Sequence, residues 1–377
     1  MRILLVTPYD ITLPGGVTSH VLDLAHQYQE MGHPTMLVGP AGGGTLPQNG
    51  FTYHIGGAIR FPSPGDAARV NVNPLMVRSV KAFLARHEFD VIHLHEPFLP
   101  FLGPSFLYLA EGTKVGTFHT WRKGPHVPYL LFKPLIAQWN TRLQGRIAVS
   151  NSAKSTVSRY VSGEYTVIPN GIDYGRFSTP GPRPPHLDDD RPTILFVGRL
   201  ESRKGIPVLL RAFKRVKRSI PAARLVIVGT GGLRDEYMRL AARMGLEDVR
   251  FEGYVTPEEL PAYYQRADVF CAPSTVNESF GITLAEAMAA GAPLVATTIE
   301  GFSTLGEHEV TGLLVPPRDD AGLAQALERM LSDKPLRERL AHAAQERARN
   351  FSWDRIAERL LAYYREIAPN GDGLKSP

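Results

Sequence analysis

Along this chain, short apolar runs alternate with stretches whose apolar positions recur at helical spacing. In the first half, Ile3-Leu4-Leu5-Val6, Thr35-Met36-Leu37-Val38-Gly39, Val91-Ile92-His93-Leu94-His95, Val115-Gly116-Thr117-Phe118-His119 and Arg146-Ile147-Ala148-Val149-Ser150 read as strands. Amphipathic helices are expected over 17–31 and 77–87. Strands that are apolar throughout, separated by helices, indicate a parallel sheet covered on both faces. The pattern pauses at Thr166–Asp173, a strand entering an Asn170-Gly171 turn. A linker-like Pro180-Gly181-Pro182-Arg183-Pro184-Pro185 follows. The pattern then restarts, with strands near 193–198, 225–229, 250–255, 269–272 and 294–297. Helices are expected over 206–218, 323–332, 336–349 and 353–367. The reading is α/β: two Rossmann-like, doubly wound domains, 1–172 and 173–352, with a cleft between them beyond the strand ends. Residues 369–377 are expected to be disordered.

One stretch stands out, Asn277 to Gly291. It reads as a tight turn feeding a short helix that Gly291 and Pro293 end. Nearly every residue from Gly281 to Gly291 is apolar, so the helix should be buried. Glu286 breaks that rule, and a buried carboxylate is costly unless satisfied. Glu278 stands just ahead of the helix, where backbone N–H groups and the positive end of the dipole collect. Two carboxylates thus flank a helix start suited to an anion. A capping Glu plus a Glu paired with an Arg is the structural alternative.

The bulk numbers narrow the class. At 377 residues, two domains are the natural expectation. A content of 43% hydrophobic and 21% charged residues fits a water-soluble chain, and no apolar run is long enough to span a bilayer. The N-terminal run is expected to be a strand rather than a signal peptide. The single cysteine, Cys271, excludes an internal disulfide and reads as a buried small hydrophobe. Charge is uneven: the first 171 residues hold fourteen Lys and Arg against nine Asp and Glu, which is the whole formal net charge of +5. That points to an anionic partner for the first half, with a solvated basic face as the alternative.

Several candidate sites follow. Gly15-Gly16 comes after the first strand and opens a helix, where backbone can approach a phosphate closely. Arg199 and Lys204 follow a strand in the second half and suit a diphosphate. Gly229-Thr230-Gly231-Gly232 fails the dinucleotide spacing, since Arg234 stands where a third glycine belongs. His93 and His95 share a strand face beside Glu96 but lack a third spaced ligand, so packing or hydrogen bonding is expected there rather than a metal. Asp188-Asp189-Asp190 reads as a solvated loop. P-loop, nucleophile-elbow and nucleic-acid signatures are missing from the sequence. Trp121 to Ile136 mixes aromatic, aliphatic and basic residues, which suits either a membrane interface or a helix packed on the domain. The helix with Arg78, Lys81 and Arg86 would add attraction to anionic lipid.

Glu278-Ser279-Phe280-Gly281 with Glu286 resembles the signature of family 4 retaining glycosyltransferases. The resemblance extends through Pro14-Gly15-Gly16-Val17, His95-Glu96-Pro97, Thr117-Phe118-His119-Thr120, Ile168-Pro169-Asn170-Gly171, Val197-Gly198-Arg199 and Arg203-Lys204-Gly205. It implies two facing domains of the GT-B type, with the last helix, 353–368, crossing back to the first. It also implies a nucleotide-sugar donor in the second domain, an acceptor at the first, no cofactor and no metal. By position, Arg199 and Lys204 would neutralise the leaving diphosphate, Glu278 would contact the donor sugar, and Glu286 the ribose. His119 would stand at the reaction centre. Gly15, Gly16, Val255, Ser279, Phe280, Gly281 and Ile282 would line the donor.

Within the family the likeness is to bacterial phosphatidylinositol mannosyltransferases. Tyr9, Arg69, Thr120 and Lys123 match positions near the phosphoinositol head, and Arg78, Lys81, Trp121 and Arg122 positions facing the membrane. Three departures stand against it: Phe98 replaces a polar Asn, Thr256-Pro257 follows Val255 where guanine binders carry acids, and the Arg78–Lys81 helix is less basic. The resulting expectation is a peripheral enzyme at the cytoplasmic membrane face, moving mannose from GDP-mannose to an inositol lipid. A uridine donor with a soluble acceptor, and an epimerase or sugar-nucleotide sensor, are the alternatives.

Overall fold

A computed structural model describes residues 1–368 apart from 14, 43, 46, 62–67, 71, 72, 74, 123 and 183. The tail expected to be disordered, with Pro14 and Lys123, lies outside the described residues. The chain forms two compact units: Met1–Gly171 together with the chain from Trp353 onward, and Ile172–Ser352.

The strands of the first unit are β1 (Ile3–Val6), β2 (Thr35–Ala41), β3 (Thr52–Gly57), β4 (Ile59–Phe61), β5 (Ala68–Val70), β6 (Val91–His95), β7 (Thr113–Phe118), β8 (Gly145–Ala148) and β9 (Thr166–Val167). Seven form a parallel sheet in the order β3-β2-β1-β6-β7-β8-β9; β4 and β5 make a separate antiparallel pair that sets Arg60 opposite Arg69. The helices are α1 (Gly16–Glu30), α2 (Met76–Leu84), α3 (Leu102–Leu109), α4 (Val127–Leu131), α5 (Lys133–Asn140) and α6 (Asn151–Val157).

The second unit carries α7 (Tyr174–Ser178), β10 (Thr193–Val197), α8 (Ile206–Ser219), β11 (Arg224–Val228), α9 (Arg234–Arg243), β12 (Val249–Gly253), α10 (Leu260–Arg266) and β13 (Val269–Ala272). It continues through α11 (Ile282–Ala289), β14 (Leu294–Thr297), β15 (Leu313–Val315), α12 (Asp320–Ser332) and α13 (Lys334–Ala348). Its sheet is parallel in the order β12-β11-β10-β13-β14-β15. The last helix, α14 (Trp353–Ile367), belongs to the first unit.

Both sheets are buried on two faces, as the uninterrupted apolar runs require. On β1, Leu4 and Val6 join the core under α2 and α3, while Ile3 and Leu5 join the core under α1 and α14. On β10, Leu195 and Val197 point one way and Ile194 and Phe196 the other. This is the two-residue alternation of a strand. The doubly wound α/β class expected from the run pattern is the one adopted.

Three details differ from the expectations. Ile172 goes with the second unit, where its N–H donates to the Phe351 carbonyl at 2.8 Å. Asp188–Asp190 is exposed, as a solvated loop should be, but Asp189 also pairs with the buried Arg224 at 2.8 Å and lies 3.6 Å from Arg266, guanidinium groups that need a counter-ion. Helix α3, Leu102–Leu109, was not anticipated, because Gly103 and Pro104 mask its periodicity. Among the described residues no helix is long and apolar enough to cross a membrane.

Helix α14 buries Trp353, Ile356, Leu360, Leu361 and Tyr364 in the first unit's core. Leu360→Ala should therefore cost about 2–5 kcal/mol of that unit's stability. Urea unfolding followed by far-UV circular dichroism checks this; an unchanged midpoint would mean α14 is only loosely attached.

Candidate functional site

In the first unit, β6 and β7 run in parallel register, with His95 opposite Thr117. Just past β6, Glu96 adopts a left-handed backbone, φ 51°, a sparsely populated conformation that concentrates at functional sites. Its carboxylate accepts the His119 backbone N–H and the Thr120 hydroxyl, both at 2.8 Å. His95 Nδ1 lies 2.9 Å from His119 Nε2. His20, from α1, packs edge-on to both rings, with centroids 5.4 and 5.1 Å away. A second polar chain runs behind: Tyr28 and Tyr364 hydroxyls 2.9 Å apart, Tyr364 to His93 Nδ1 at 2.6 Å, and His93 Nε2 to Thr117 Oγ1 at 2.6 Å.

Burial makes these histidines neutral. It pulls His93 and His119 down to about 3, and His20 and His95 well below the usual range, with neighbouring histidines adding to the effect on all but His119. Burial pushes the Glu96 carboxyl up, only partly offset by the Thr120 hydroxyl and the backbone N–H groups. It also raises Tyr9, which Glu96 reinforces.

Ring nitrogens of His20, His95 and His119 all lie within 4.8 Å of one another. The expectation that His95 has no third ligand-capable neighbour is thereby corrected. The fold brings His20 from α1 and His119 from the end of β7, a convergence that spacing along the chain does not reveal. Neither His20 Nδ1 nor His95 Nε2 has a hydrogen-bond partner, so this trio could accept a metal ion. Against that, the His95–His119 hydrogen bond between neutral rings occupies one lone pair that a metal would need.

Gly15 is the N-cap of α1 in an extended conformation. A Cβ there would meet nothing nearer than Thr18 Oγ1 at 3.7 Å, so packing within the unit does not require a glycine. Arg78 and Lys81 are exposed on α2, with Leu75 and Val77; Trp121 and Arg122 are half-buried. The exposed apolar side chains of the Trp121–Ile136 segment are Val127, Leu130, Leu131, Phe132 and Leu135. The segment is therefore both packed and apolar at its surface.

In the second unit the charges converge. Glu278 is 8% exposed and follows Asn277, which has φ 58°. Its Oε1 is 2.6 Å from Lys204 Nζ, 2.7 Å from Arg203 Nη1 and 3.1 Å from Ser274 Oγ. Burial pushes the Glu278 carboxyl up, but Lys204 and then Arg203 outweigh it and hold it below the usual range. Buried Glu201 takes Arg203 Nε at 2.8 Å and Arg199 Nε at 3.0 Å. Three cations thus surround two carboxylates.

Gly281, at φ 92°, turns the chain into α11, and a Cβ there would lie 2.7 Å from the Phe302 ring. Glu286 accepts from the Tyr264 hydroxyl at 2.8 Å. Phe280 is in the core against Phe351, so only its backbone is placed to meet a ligand. Val255 and Ile282 are half-buried against the same core.

Two family models match the chain: Glycosyltransferase Family 4 over residues 14–176 and Glycosyl transferases group 1 over residues 182–347. The phosphatidyl-myo-inositol mannosyltransferase of Mycobacterium leprae is 37% identical over 377 residues, covering 100% of this chain and 99% of that protein. The chain belongs to the family 4 glycosyltransferases.

The enzyme of the same name from Propionibacterium freudenreichii is 32% identical to this glycosyltransferase, over 98% of this chain and 96% of that protein. Among solved structures, sucrose-phosphate synthase from Thermosynechococcus elongatus superposes with a TM-score of 0.80 at 23% identity, over 97% of this chain and 99% of that one. Anabaena HepE in complex with UDP gives 0.80 at 22%, over 97% and 100%. These likenesses establish a GT-B fold.

Of the residues singled out in the glycosyltransferase sequence, the fold gathers His95, Glu96, His119 and Thr120 in one unit, and Arg199, Lys204 and Glu278 in the other. Arg69 is placed on β5, and Lys123 lies outside the described residues. Missed were His20, Glu201, Arg203 and Ser274. The Arg203-Lys204 doublet was a visible signal, Glu201 and Ser274 lie within four residues of groups they meet, and His20 comes in only through tertiary contact.

Acid should destabilise the first unit. Buried His20, His93, His95 and His119 have folded values below the unfolded value of about 6.5. Their contribution is complete above pH 6.5 and is lost as pH falls below it, by up to about 1.4 kcal/mol per group per pH unit. Urea midpoints at pH 7.5 and 5.5 test this, and equal midpoints would place these rings in a wetter environment.

Proposed function

We propose that this glycosyltransferase moves mannose from GDP-mannose to a hydroxyl of the inositol head of a phosphatidylinositol-type lipid, with retention at the anomeric carbon. The observation that carries the reading is the Lys204–Arg203–Glu278 cluster ahead of α11, in a chain matching proteins named for that reaction from end to end.

The donor's bond from the anomeric carbon to the diphosphate breaks while the acceptor oxygen bonds that carbon. The hydroxyl proton leaves with the released nucleotide diphosphate. Charge builds on the diphosphate as the bond breaks, and cations already in place lower the barrier more than cations that must be recruited. Lys204 is such a cation, held at 13% side-chain exposure by its contact with Glu278. Arg199 supplies a planar fork and Lys204 a point charge. The rest of Glu278's acceptor capacity is available for donor-sugar hydroxyls, and Glu286 is assigned to the ribose. Gly15 and Gly16 leave room for backbone to meet phosphate, in keeping with a glycine that packing does not demand.

Neutral His119 is assigned to the reaction centre as a hydrogen-bonding group. On the acceptor side, Tyr9, Thr120, Arg69 and Lys123 receive the phosphoinositol head. The enzyme works peripherally at the cytoplasmic membrane face, where α2 offers Arg78 and Lys81 beside exposed Leu75 and Val77.

A uridine donor is the second reading. It is favoured by Thr256, which occupies the acidic position of guanine binders and hydrogen-bonds locally to Glu259 at 3.0 Å. A thermal-shift panel with GDP, GDP-mannose, UDP and UDP-glucose separates the two, since a saturating ligand adds a few kcal/mol. The larger shift is expected with the guanosine ligands; a larger one with uridine ligands would overturn the donor assignment. Glu278→Ala and Lys204→Ala should each lower turnover by at least about two orders of magnitude. Near-normal rates in both would mean that the diphosphate binds elsewhere.

A further inference from the structure

Resting on the phospholipid-acceptor reading, we propose that the first unit draws one acyl chain of its acceptor out of the bilayer into a groove of its own. The groove encloses about 630 Å³ and runs along α3, α4 and α5; Phe98, Phe101, Tyr108, Tyr129, Phe132 and Leu135 are among its walls. That volume lies within the range of small-molecule sites, about 300–1,000 Å³. The few non-aromatic polar groups at its wall are used internally: Ser105 Oγ donates to the Phe101 carbonyl at 2.6 Å, and His126 Nδ1 accepts the Tyr129 N–H at 3.4 Å. An occupant therefore meets almost no demand for hydrogen bonds, which suits a hydrocarbon chain and not a sugar or a peptide backbone.

The groove has a polar neighbour at one end. Tyr129 lies close enough to Glu96 that the carboxylate adds to the upward push of burial on its phenol. Phe98 follows Glu96 by two residues. Glu96 in turn holds His119 and Thr120. A molecule with its head at Tyr9 and Thr120 would thus have its tail at Tyr129 and Phe98. Beyond the groove the apolar surface continues through Leu130 (51% exposed) and Leu131 (72%), a path by which a chain could enter from a membrane. Arg142 lies 4.4 Å over the ring of the wall residue Tyr108, a cation near the groove that would favour anionic lipid. The concave shape distinguishes this from surface contact with headgroups, which needs no cavity.

The test uses the full chain without vesicles. One readout is binding of a monomeric phospholipid carrying an environment-sensitive fluorophore on its acyl chain. The other is kcat/KM for a short-chain phosphatidylinositol below its aggregation concentration, relative to glycerophosphoinositol. The wild type should bind the probe with a blue shift and prefer the acylated acceptor. Leu135→Glu, a change at a partly exposed wall position that the fold tolerates, should weaken probe binding and reduce the acylated-to-deacylated ratio at least tenfold. Phe132→Glu should act alike.

Probe binding seen only with vesicles would overturn the groove in favour of interfacial contact, as would a ratio unchanged in both variants. Displacement of the probe by free fatty acid but not by phosphatidylinositol would overturn the acceptor as occupant. If the probe binds but no inositol compound is glycosylated, the acceptor reading falls instead, so the two failures are distinguishable.

Discussion

A carboxylate as buried as Glu278 must be met by cations, and much of the second unit's chemistry follows from that obligation. Removing an ion from water costs several kcal/mol, repaid only by close partners and further hydrogen bonds. Lys204, Arg203 and Ser274 all converge on one carboxylate oxygen. Glu201 restrains Arg203 and Arg199 from the other side. The cations are thus fixed before any ligand arrives, in a cluster with one more positive than negative charge. Such an array favours an incoming diphosphate without the delay of collecting loose side chains. The left-handed backbone at Asn277 is the local strain that aims Glu278, and Gly281 enters the same region freely to open α11.

The first unit solves the opposite problem. Among its described residues the polar interior is a set of neutral imidazoles and phenols, linked from Tyr28 through Tyr364 and His93 to Thr117, and from His95 to His119. Neutral donors and acceptors cost less to bury than charges, and they hold His119 in place without giving it a charge. Of the buried carboxylates there, Glu96 is spent on the His119 backbone and on Thr120, and Asp10 accepts from Thr12. A neutral, rigidly positioned centre suits a reaction whose charge develops on the donor diphosphate rather than on the acceptor.

Much of this was legible before the fold was known. Apolar runs marked the strands because sheets buried on both faces need them, and the apolar helix interrupted by Glu286 marked α11. Arg199, Lys204 and Glu278 marked the ionic cluster, without Arg203. What could not be read depends on contacts between elements distant in sequence. His20 meets His95 only because α1 packs against the sheet that carries β6, and exposed Asp189 gains its partners only because Arg224 and Arg266 reach it. Phe280 looked like a ligand contact and is core. The groove was hidden because α3 contains Gly103 and Pro104, and because an apolar segment such as 127–136 has the same composition whether it packs, binds or faces lipid.

The central claim is transfer of mannose to an inositol lipid. Its most direct test is mass spectrometry of the products formed when the purified protein meets GDP-mannose and phosphatidylinositol together. The account predicts phosphatidylinositol carrying one hexose, with GDP released in equal amount and only when the lipid is present. GDP released without lipid, or a hexose found on a soluble sugar while the lipid stays unmodified, would contradict it.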